Sequence, residues 1–195
     1  GGAPVGSSRW KRALAPDPMN THLHSETGAE ADTPEQVLVE DEIEAELTAG
    51  AALGGRLLTG AAAAFPAQLA ALDPPPPVIW ALGDAALLCR PSVAVVGARI
   101  ASAVGQRFAR GLAHELGAAG YVVVSGMARG IDTAAHKGAL AQAGNTIAVL
   151  GCGVDVVYPS ENRKLAAELA VKGLIISEFP MGAVAFPQNF PIRNR

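Results

Sequence analysis

Short apolar runs alternate with amphipathic segments along residues 78–177, and this alternation predicts an α/β fold. Between the runs, apolar residues recur at helical spacing, as Val104, Phe108, Leu112 and Leu116 do. Strands that alternate with helices of this kind form right-handed βαβ units, so the pattern predicts a parallel sheet. The apolar runs that predict its buried strands lie at residues 78–81, 93–96, 121–124, 146–150 and 174–177.

The first 60 residues follow a different pattern, which predicts a helical and irregular extension before a domain at residues 61–195. Residues 1–32 are polar and lack a period, so we expect them to be disordered. Thr33 as N-cap, with Pro34 in the first turn, predicts a helix that ends near Ala49. The acidic face of this helix is interpreted as solvated, with DNA mimicry as the alternative. The DPPPP run at residues 73–77 predicts a stiff linker into the first strand.

Composition narrows the class of protein. Half of the 195 residues are hydrophobic, but no uninterrupted run of eighteen apolar residues occurs, which argues against a membrane span. Neither a charged-then-apolar leader nor a cysteine framework is present, and this favours a cytoplasmic protein. Cys89 and Cys152 show no metal-ligand spacing with the histidines, so neither a metal nor a cofactor is predicted.

The stretch SGMARGIDTAAH at residues 125–136 is the strongest candidate for chemistry. It follows an apolar run and leads into a helical pattern, and Gly126 and Gly130 permit a tight turn between the two. Free N–H groups at the start of such a helix can bind a phosphate or carboxylate, to which Ser125 and Arg129 add a hydroxyl and a guanidinium. The alternative is an ordinary strand-to-helix turn with a solvated arginine.

A second glycine turn of the same kind lies upstream and contains Gly97, Arg99 and Ser102. Because the carboxyl ends of parallel strands share one edge, both turns and the GCG loop at residues 151–153 are expected to face one crevice. The crevice lacks the dinucleotide fingerprint, the P-loop and the GxSxG nucleophile elbow. His136 is interpreted as a hydrogen-bonded helix residue, and no catalytic residue is predicted.

Charge is divided unevenly along the chain, although the net charge is only −3. Residues 26–46 hold nine acidic side chains, whereas residues 90–195 hold eleven Lys or Arg against six Asp or Glu. A basic second half with arginines in loops is typical of a polyanion-binding surface, because loop arginines can fork onto phosphates. A mixed surface with an incidental excess of positive charge is the alternative.

Five motifs follow one another along the second part of the chain: VAVVGAR at 93–99, SGMARGIDTAAHKGAL at 125–140, TIAVLGCGVDVVYP at 146–159, ISEFP at 176–180 and FPIRNR at 190–195. In their order and spacing they resemble the motifs of the DNA-processing protein A family, also called DprA or Smf. The resemblance covers about residues 60–195 and implies a Rossmann-like sheet used for binding without catalysis. It also implies that the protein binds single-stranded DNA during natural transformation, protects it and helps to load the RecA recombinase.

The resemblance assigns DNA contacts to the same loops. Arg99, the turn from Ser125 to Gly130, and the RNR element of Arg193, Asn194 and Arg195 would hold phosphates. Asn145 stands where many family members place a lysine or arginine that contacts DNA, and an uncharged residue there is expected to lower the affinity.

The chain ends at Arg195, where family members continue through further strands, so we expect a partial sheet whose C-terminal strands are missing. In the family those strands carry the homodimer surface and much of the RecA contact. Two alternatives to a DNA-binding protein stay open. One is a nucleotide-binding enzyme or sensor related to phosphoribohydrolases, and the other is a fragment that only packs within a larger sheet.

Overall fold

A computed structural model describes residues 34–62, 65–142 and 144–195, with side chains from residue 40 onward. The expected disordered segment at residues 1–32 lies outside these ranges. The predicted α/β fold is confirmed, with six strands in one sheet and helices along the chain. The helices are α1 (Pro34–Ala52), α2 (Ala67–Ala70), α3 (Ala103–Ala118), α4 (Ile131–Leu140), α5 (Arg163–Lys172) and α6 (Asn189–Arg193). The strands are β1 (Arg56–Thr59), β2 (Val78–Gly83), β3 (Ser92–Ala94), β4 (Val122–Ser125), β5 (Thr146–Leu150) and β6 (Leu174–Ser177).

The sheet is mixed, and this corrects the expectation that all its strands are parallel. Its order is β1-β2-β6-β5-β4-β3, with β3 to β6 parallel and β1 and β2 antiparallel to their neighbours. The sequence missed β1, because its four residues RLLT are too short and too mixed to show a period. β1 pairs with β2, so the sheet begins at Arg56, before the boundary expected at residue 61.

Alternate residues of each inner strand enter two apolar layers, one on each face of the sheet. Trp80, Ala148 and Ile175 pack with α5 on one face. Their strand neighbours Ile79, Ile147 and Ile176 pack on the opposite face with Leu87 and Leu88 of a short 3-10 helix. Burying each face of a strand supplies the apolar area that stabilises the sheet.

The buried side of helix α3 is not the apolar side that its residue spacing predicts. It buries Ala109, Ala113 and Gly117 against α4, because small residues let the two helices approach closely. Val104, Phe108 and Leu112 are exposed instead, Phe108 to 71%. This apolar stripe belongs to the helix that follows β3, the strand at the edge of the described sheet.

Within the described ranges, every helix is too short or too polar to span a bilayer.

Candidate nucleic-acid interface

The loops after three parallel strands surround a cavity of about 220 Å³ at the carboxyl edge of the sheet. Arg99 comes from the turn after β3, Gly126 and Arg129 from the turn after β4, and Gly151 from the loop after β5. Residues from the last part of the chain complete its wall. The structure therefore brings the glycine turns to one crevice, together with Tyr158, Phe190 and Arg193.

Two arginines lie within cation–π distance of the phenyl ring of Phe190. The Cζ of Arg99 is 5.0 Å from the ring centroid, and the Cζ of Arg193 is 5.8 Å from it. Cations at this distance are attracted by the ring quadrupole, so Phe190 holds two positive groups that would otherwise repel each other. Tyr158 lies beside this ring, with centroids 5.9 Å apart, and is 47% exposed. We call Arg99, Arg193, Phe190 and Tyr158 the arginine groove.

Arg193 is fixed at the base of the arginine groove. Its Nη1 donates to the Val149 carbonyl over 2.6 Å, while its buried Nε has no hydrogen-bond partner among the described residues. Burial lowers the pKa of Arg193, an effect opposed by Asp132 and reinforced by Arg99. The guanidinium remains charged because arginine is not deprotonated in proteins, and a half-buried cation favours an anion nearby.

Gly126 is required by this placement of Arg193. A Cβ built on Gly126 would overlap with the Arg193 guanidinium, so any other residue displaces the arginine. Glycine at this position therefore lets the Arg193 side chain approach the backbone of the turn closely.

Two amides of the turn at 125–130 are occupied by a side chain of the protein itself, which changes the picture of a free anion site. The Oδ2 of Asp132 accepts from the Gly126 N–H over 3.1 Å and from the Ala128 N–H over 3.3 Å. Asp132 is only 5% exposed. The chain's own carboxylate thus fills the place that the sequence assigned to a phosphate, and the Ser125 hydroxyl donates to the Val95 carbonyl inside the fold.

Internal contacts hold the rest of this turn. Met127 adopts a left-handed conformation, with φ of 55°, and its side chain is fully buried. Asn162 donates to the Met127 carbonyl and to the Thr133 hydroxyl, both over 2.9 Å. A non-glycine residue in this region is strained, and such strain persists where the surroundings dictate the conformation. Gly130, with φ of 74°, lies against the 97–99 turn, whose Ala98 carbonyl accepts from the Ile131 N–H.

Of the other residues predicted to bind DNA, some line the cavity and others do not. Gly97 packs against Ile131, and Ser102 accepts from the Gly105 N–H as the N-cap of α3. Arg129 lines the cavity but pairs with Glu161, and Arg195 pairs with Glu178. Asn194 is exposed at the end of α6.

Asn145 lies away from this edge, and its predicted DNA contact stays a prediction. It directly precedes β5, so it lies at the amino ends of the parallel strands. Its Oδ1 accepts from Arg90 Nη1 over 2.6 Å, and its Nδ2 donates to the Gly117 carbonyl over 3.4 Å. These contacts bury Asn145, which therefore supports the opposite edge of the sheet.

His136 and Cys152 are structural groups behind the cavity. Thr146 donates to the Val123 carbonyl and so accepts from His136 Nδ1, over 2.7 Å. Burial lowers the pKa of His136 to about 4, partly opposed by the Ser125 backbone. Burial, then Asp155, raises the pKa of Cys152 to about 11 against the opposing effect of Arg193, so its thiol stays protonated. The described residues hold no group of three or more His, Cys, Asp or Glu side chains suited to a metal ion.

Three residues that shape the site were not predicted from the sequence. Phe190 belongs to the FPIRNR motif, but its place beside two arginines depends on the return of the chain after β6. Tyr158 belongs to the motif at residues 146–159, to which no contact of its own was assigned. Asp132 left a usable signal, because a carboxylate in the first turn after a glycine-rich loop can fill the loop's own amides.

Comparisons with known proteins agree with this architecture. The profile of the family described as DNA recombination-mediator protein A matches residues 56–195. Protein Smf of Synechocystis is 42% identical over 137 residues, which are 67% of this chain and 34% of that protein. DNA processing protein DprA of Streptococcus pneumoniae is 41% identical over 135 residues, 67% of this chain and 46% of that protein. The chain thus spans between a third and a half of the length of these relatives.

Two solved structures share the fold. The X-ray structure of DNA processing protein A from Streptococcus pneumoniae matches with a TM-score of 0.70 and 32% identity, over 83% of this chain and 58% of that one. A structure of DNA processing protein A from Helicobacter pylori, which concerns its single-stranded DNA binding mode, matches with a TM-score of 0.65 and 33% identity, over 72% and 62% of the two chains. The family profile covers well over half of the chain and includes every strand of the sheet. The chain therefore belongs to the DNA recombination-mediator protein A family.

Proposed function

We propose that the arginine groove binds single-stranded DNA. The observation that carries the proposal is the pair of arginines, Arg99 and Arg193, that lie within cation–π distance of Phe190 and line the cavity with it. Phosphate oxygens are the acceptors that arginine forks match best. The Helicobacter pylori relative, whose structure concerns single-stranded DNA binding, supports this choice of polyanion.

The arginine groove combines the two features that single-strand binding uses. Arg99 and Arg193 would contact backbone phosphates, and the exposed face of Tyr158 would stack on a base. A base stacked on an aromatic ring contributes about 1–3 kcal/mol, whichever base it is. Phosphate contacts carry no base information, so we propose binding with little sequence preference.

The cavity favours a polymer over a small enclosed ligand. Its volume of about 220 Å³ is below the roughly 300 Å³ at which sites for small molecules usually begin. A strand that passes over the opening needs only part of each nucleotide to enter. We therefore propose binding without a catalytic step, and a nucleotide-processing enzyme is the alternative that mononucleotide competition would reveal.

Fluorescence anisotropy with labelled oligo-dT tests the proposal. Arg193→Ala and Arg99→Ala should each weaken binding about tenfold and reduce the slope of log affinity against log salt by about one. Arg107→Ala is the matched control, because it removes the same charge from an exposed position on α3 outside the cavity. Equal losses in all three variants would show that only net charge matters and would reject the arginine groove.

For the whole protein we extend the proposal to DNA uptake in natural transformation. Relatives carry the names DNA processing protein DprA and Smf, which support a role in handling incoming DNA. Protection of that DNA in the cytoplasm, a contact with RecA and a homodimer are the further parts of this proposal. Strand-exchange assays with RecA, with and without the Arg193→Ala variant, measure whether the arginine groove contributes to loading.

A further inference from the structure

Helix α1 lies before the segment that the family profile matches, yet one of its side chains contacts a loop that leads to the arginine groove. The Oε1 of Glu46 accepts from the Trp80 indole N–H over 2.8 Å and from the Met181 backbone N–H, also over 2.8 Å. One carboxylate oxygen thus joins α1, β2 and the loop at residues 178–188. Hydrogen bonds to a charged acceptor are about twice as strong as neutral ones.

The end of α1 is seated closely on Trp80. Gly50 is buried, and a Cβ built on it would overlap with the Trp80 indole ring. The Gly50 carbonyl accepts from the Gly55 N–H over 2.8 Å, which turns the chain toward β1. Trp80 itself is only 3% exposed. This packing fixes the direction in which Glu46 points, so its two hydrogen bonds do not depend on a mobile side chain.

Met181 lies near the start of the loop that leads to α6 and the arginine groove. The same loop is held by Asp155, whose carboxylate accepts from the Gly182 N–H over 2.9 Å, and by the Gly153 N–H, which donates to the Ala183 carbonyl over 2.9 Å. At its far end, Asn189 donates to the Gly151 carbonyl over 2.8 Å. Of these four contacts, the one from Glu46 comes from outside the family-matched segment.

We propose that Glu46 is a positioning residue for the arginine groove. By holding Met181, it fixes the start of the segment that ends in Phe190 and Arg193, and so links the conformation of α1 to the binding of DNA. This inference rests on the proposed function. A merely electrostatic role gives the opposite sign, because an acidic side chain repels a polyanion and its removal strengthens binding.

Three variants separate these roles. Glu46→Ala should weaken oligo-dT binding about three- to tenfold, because Phe190 and Arg193 lose a fixed start to their loop. Glu44→Ala, which removes the same charge from an exposed position on the same helix, should bind slightly more tightly than the original chain. Glu46→Gln keeps an oxygen acceptor without the charge, so it should recover the affinity that Glu46→Ala loses.

Hydrogen exchange at the Met181 amide provides a measurement that does not require DNA. In Glu46→Ala the protection of this amide should fall about tenfold or more, and in Glu44→Ala it should stay unchanged. Glu46→Gln keeps an acceptor for both donors, so it should retain the Met181 protection even if Glu46→Ala folds poorly.

The proposal is overturned if Glu46→Ala and Glu44→Ala tighten binding equally, or if Glu46→Ala leaves Met181 protected. A chain that binds no oligo-dT at all would reject the proposed function instead, while the exchange at Met181 would still show whether Glu46 holds the loop.

Discussion

The turn at residues 125–130 and the segment at residues 189–195 meet at the same cavity, but they contribute in opposite ways. In the turn, Asp132 occupies the Gly126 and Ala128 amides, and the Ser125 hydroxyl bonds within the fold. In the segment, Phe190 lies within cation–π distance of two guanidinium groups, and Phe190 and Arg193 line the cavity. The turn therefore supports the site from within, whereas the segment supplies the groups that face a ligand.

This difference teaches that a glycine turn at a helix start is an anion site only where its amides remain free. A carboxylate from the first turn of the helix competes with an external phosphate for these amides. Because Asp132 belongs to the same chain, its effective concentration at the amides is high. The turn then supports Arg193, whose guanidinium occupies the space that a side chain on residue 126 would fill.

The largest effect should come from removing the carboxylate that fills the turn. Asp132→Ala leaves the Gly126 and Ala128 amides without their acceptor, and we expect the free energy of unfolding to fall by about 2–4 kcal/mol. Urea denaturation followed by circular dichroism measures this loss. Glu115→Ala on the exposed surface of α3 is the control and should change stability by less than about 0.5 kcal/mol. A stable Asp132→Ala chain would show that the turn's amides were never dependent on internal support.

A pH-dependent loss of stability should follow from His136, which lies behind the same turn. Burial lowers the pKa of His136 from 6.5 to about 4 in the folded chain. Between these values the unfolded state binds a proton that the folded state does not, so stability falls as the pH drops through this window. The contribution at about pH 5 is a loss of roughly 2 kcal/mol relative to about pH 7.5.

The comparison of His136→Gln with the original chain isolates the contribution of His136 to the pH dependence of stability. Urea midpoints measured across the window should fall less steeply in the variant, because its side chain does not titrate. His114→Gln, at a partly exposed position on α3, is the control for removing an imidazole elsewhere in the chain. Parallel curves for all three chains would mean that His136 is protonated in the folded state.

The sequence predicted the strands and the crevice better than it predicted the contacts within them. β5 and β6 have the predicted bounds, because a buried parallel strand is apolar along its whole length. β1 was missed and β2 was assigned the wrong direction, since strand pairing depends on partners distant in the sequence.

Within the site, local sequence fixed which loops meet but not how their polar groups pair. Arg99 and Arg129 occur in similar glycine-rich contexts, yet Arg99 lies over Phe190 and Arg129 pairs with Glu161. The position of Asn145 away from the crevice follows from the sequence, because a residue directly before a parallel strand lies at the opposite edge of the sheet. The partners of each side chain come from elements about 30 to 90 positions away, and no local pattern records them.

An intermediate effect should come from Gly126→Ala, which tests whether the turn and the segment act together. The new Cβ would displace the Arg193 guanidinium, so we expect oligo-dT affinity to fall about five- to tenfold with a stability loss of about 1 kcal/mol. In a chain that already carries Arg193→Ala, the same substitution should cost no further affinity. Additive losses would show that Gly126 acts on DNA independently of Arg193.

The smallest effect should come from Arg129, the charged residue that the turn itself offers. Its side chain is 63% exposed and paired with Glu161, so Arg129→Ala should change stability by less than about 0.5 kcal/mol and weaken oligo-dT binding only about twofold. Glu161→Gln should have the opposite effect and tighten binding slightly, because it releases the guanidinium and removes a negative charge at the cavity rim. Anisotropy at low salt resolves both changes. If Arg129→Ala weakens binding as much as Arg193→Ala does, the turn is itself a binding element and the division between support and contact is wrong. If the two differ as expected, burial beside Phe190 decides which arginine at this edge matters, and exposure in a glycine-rich loop does not.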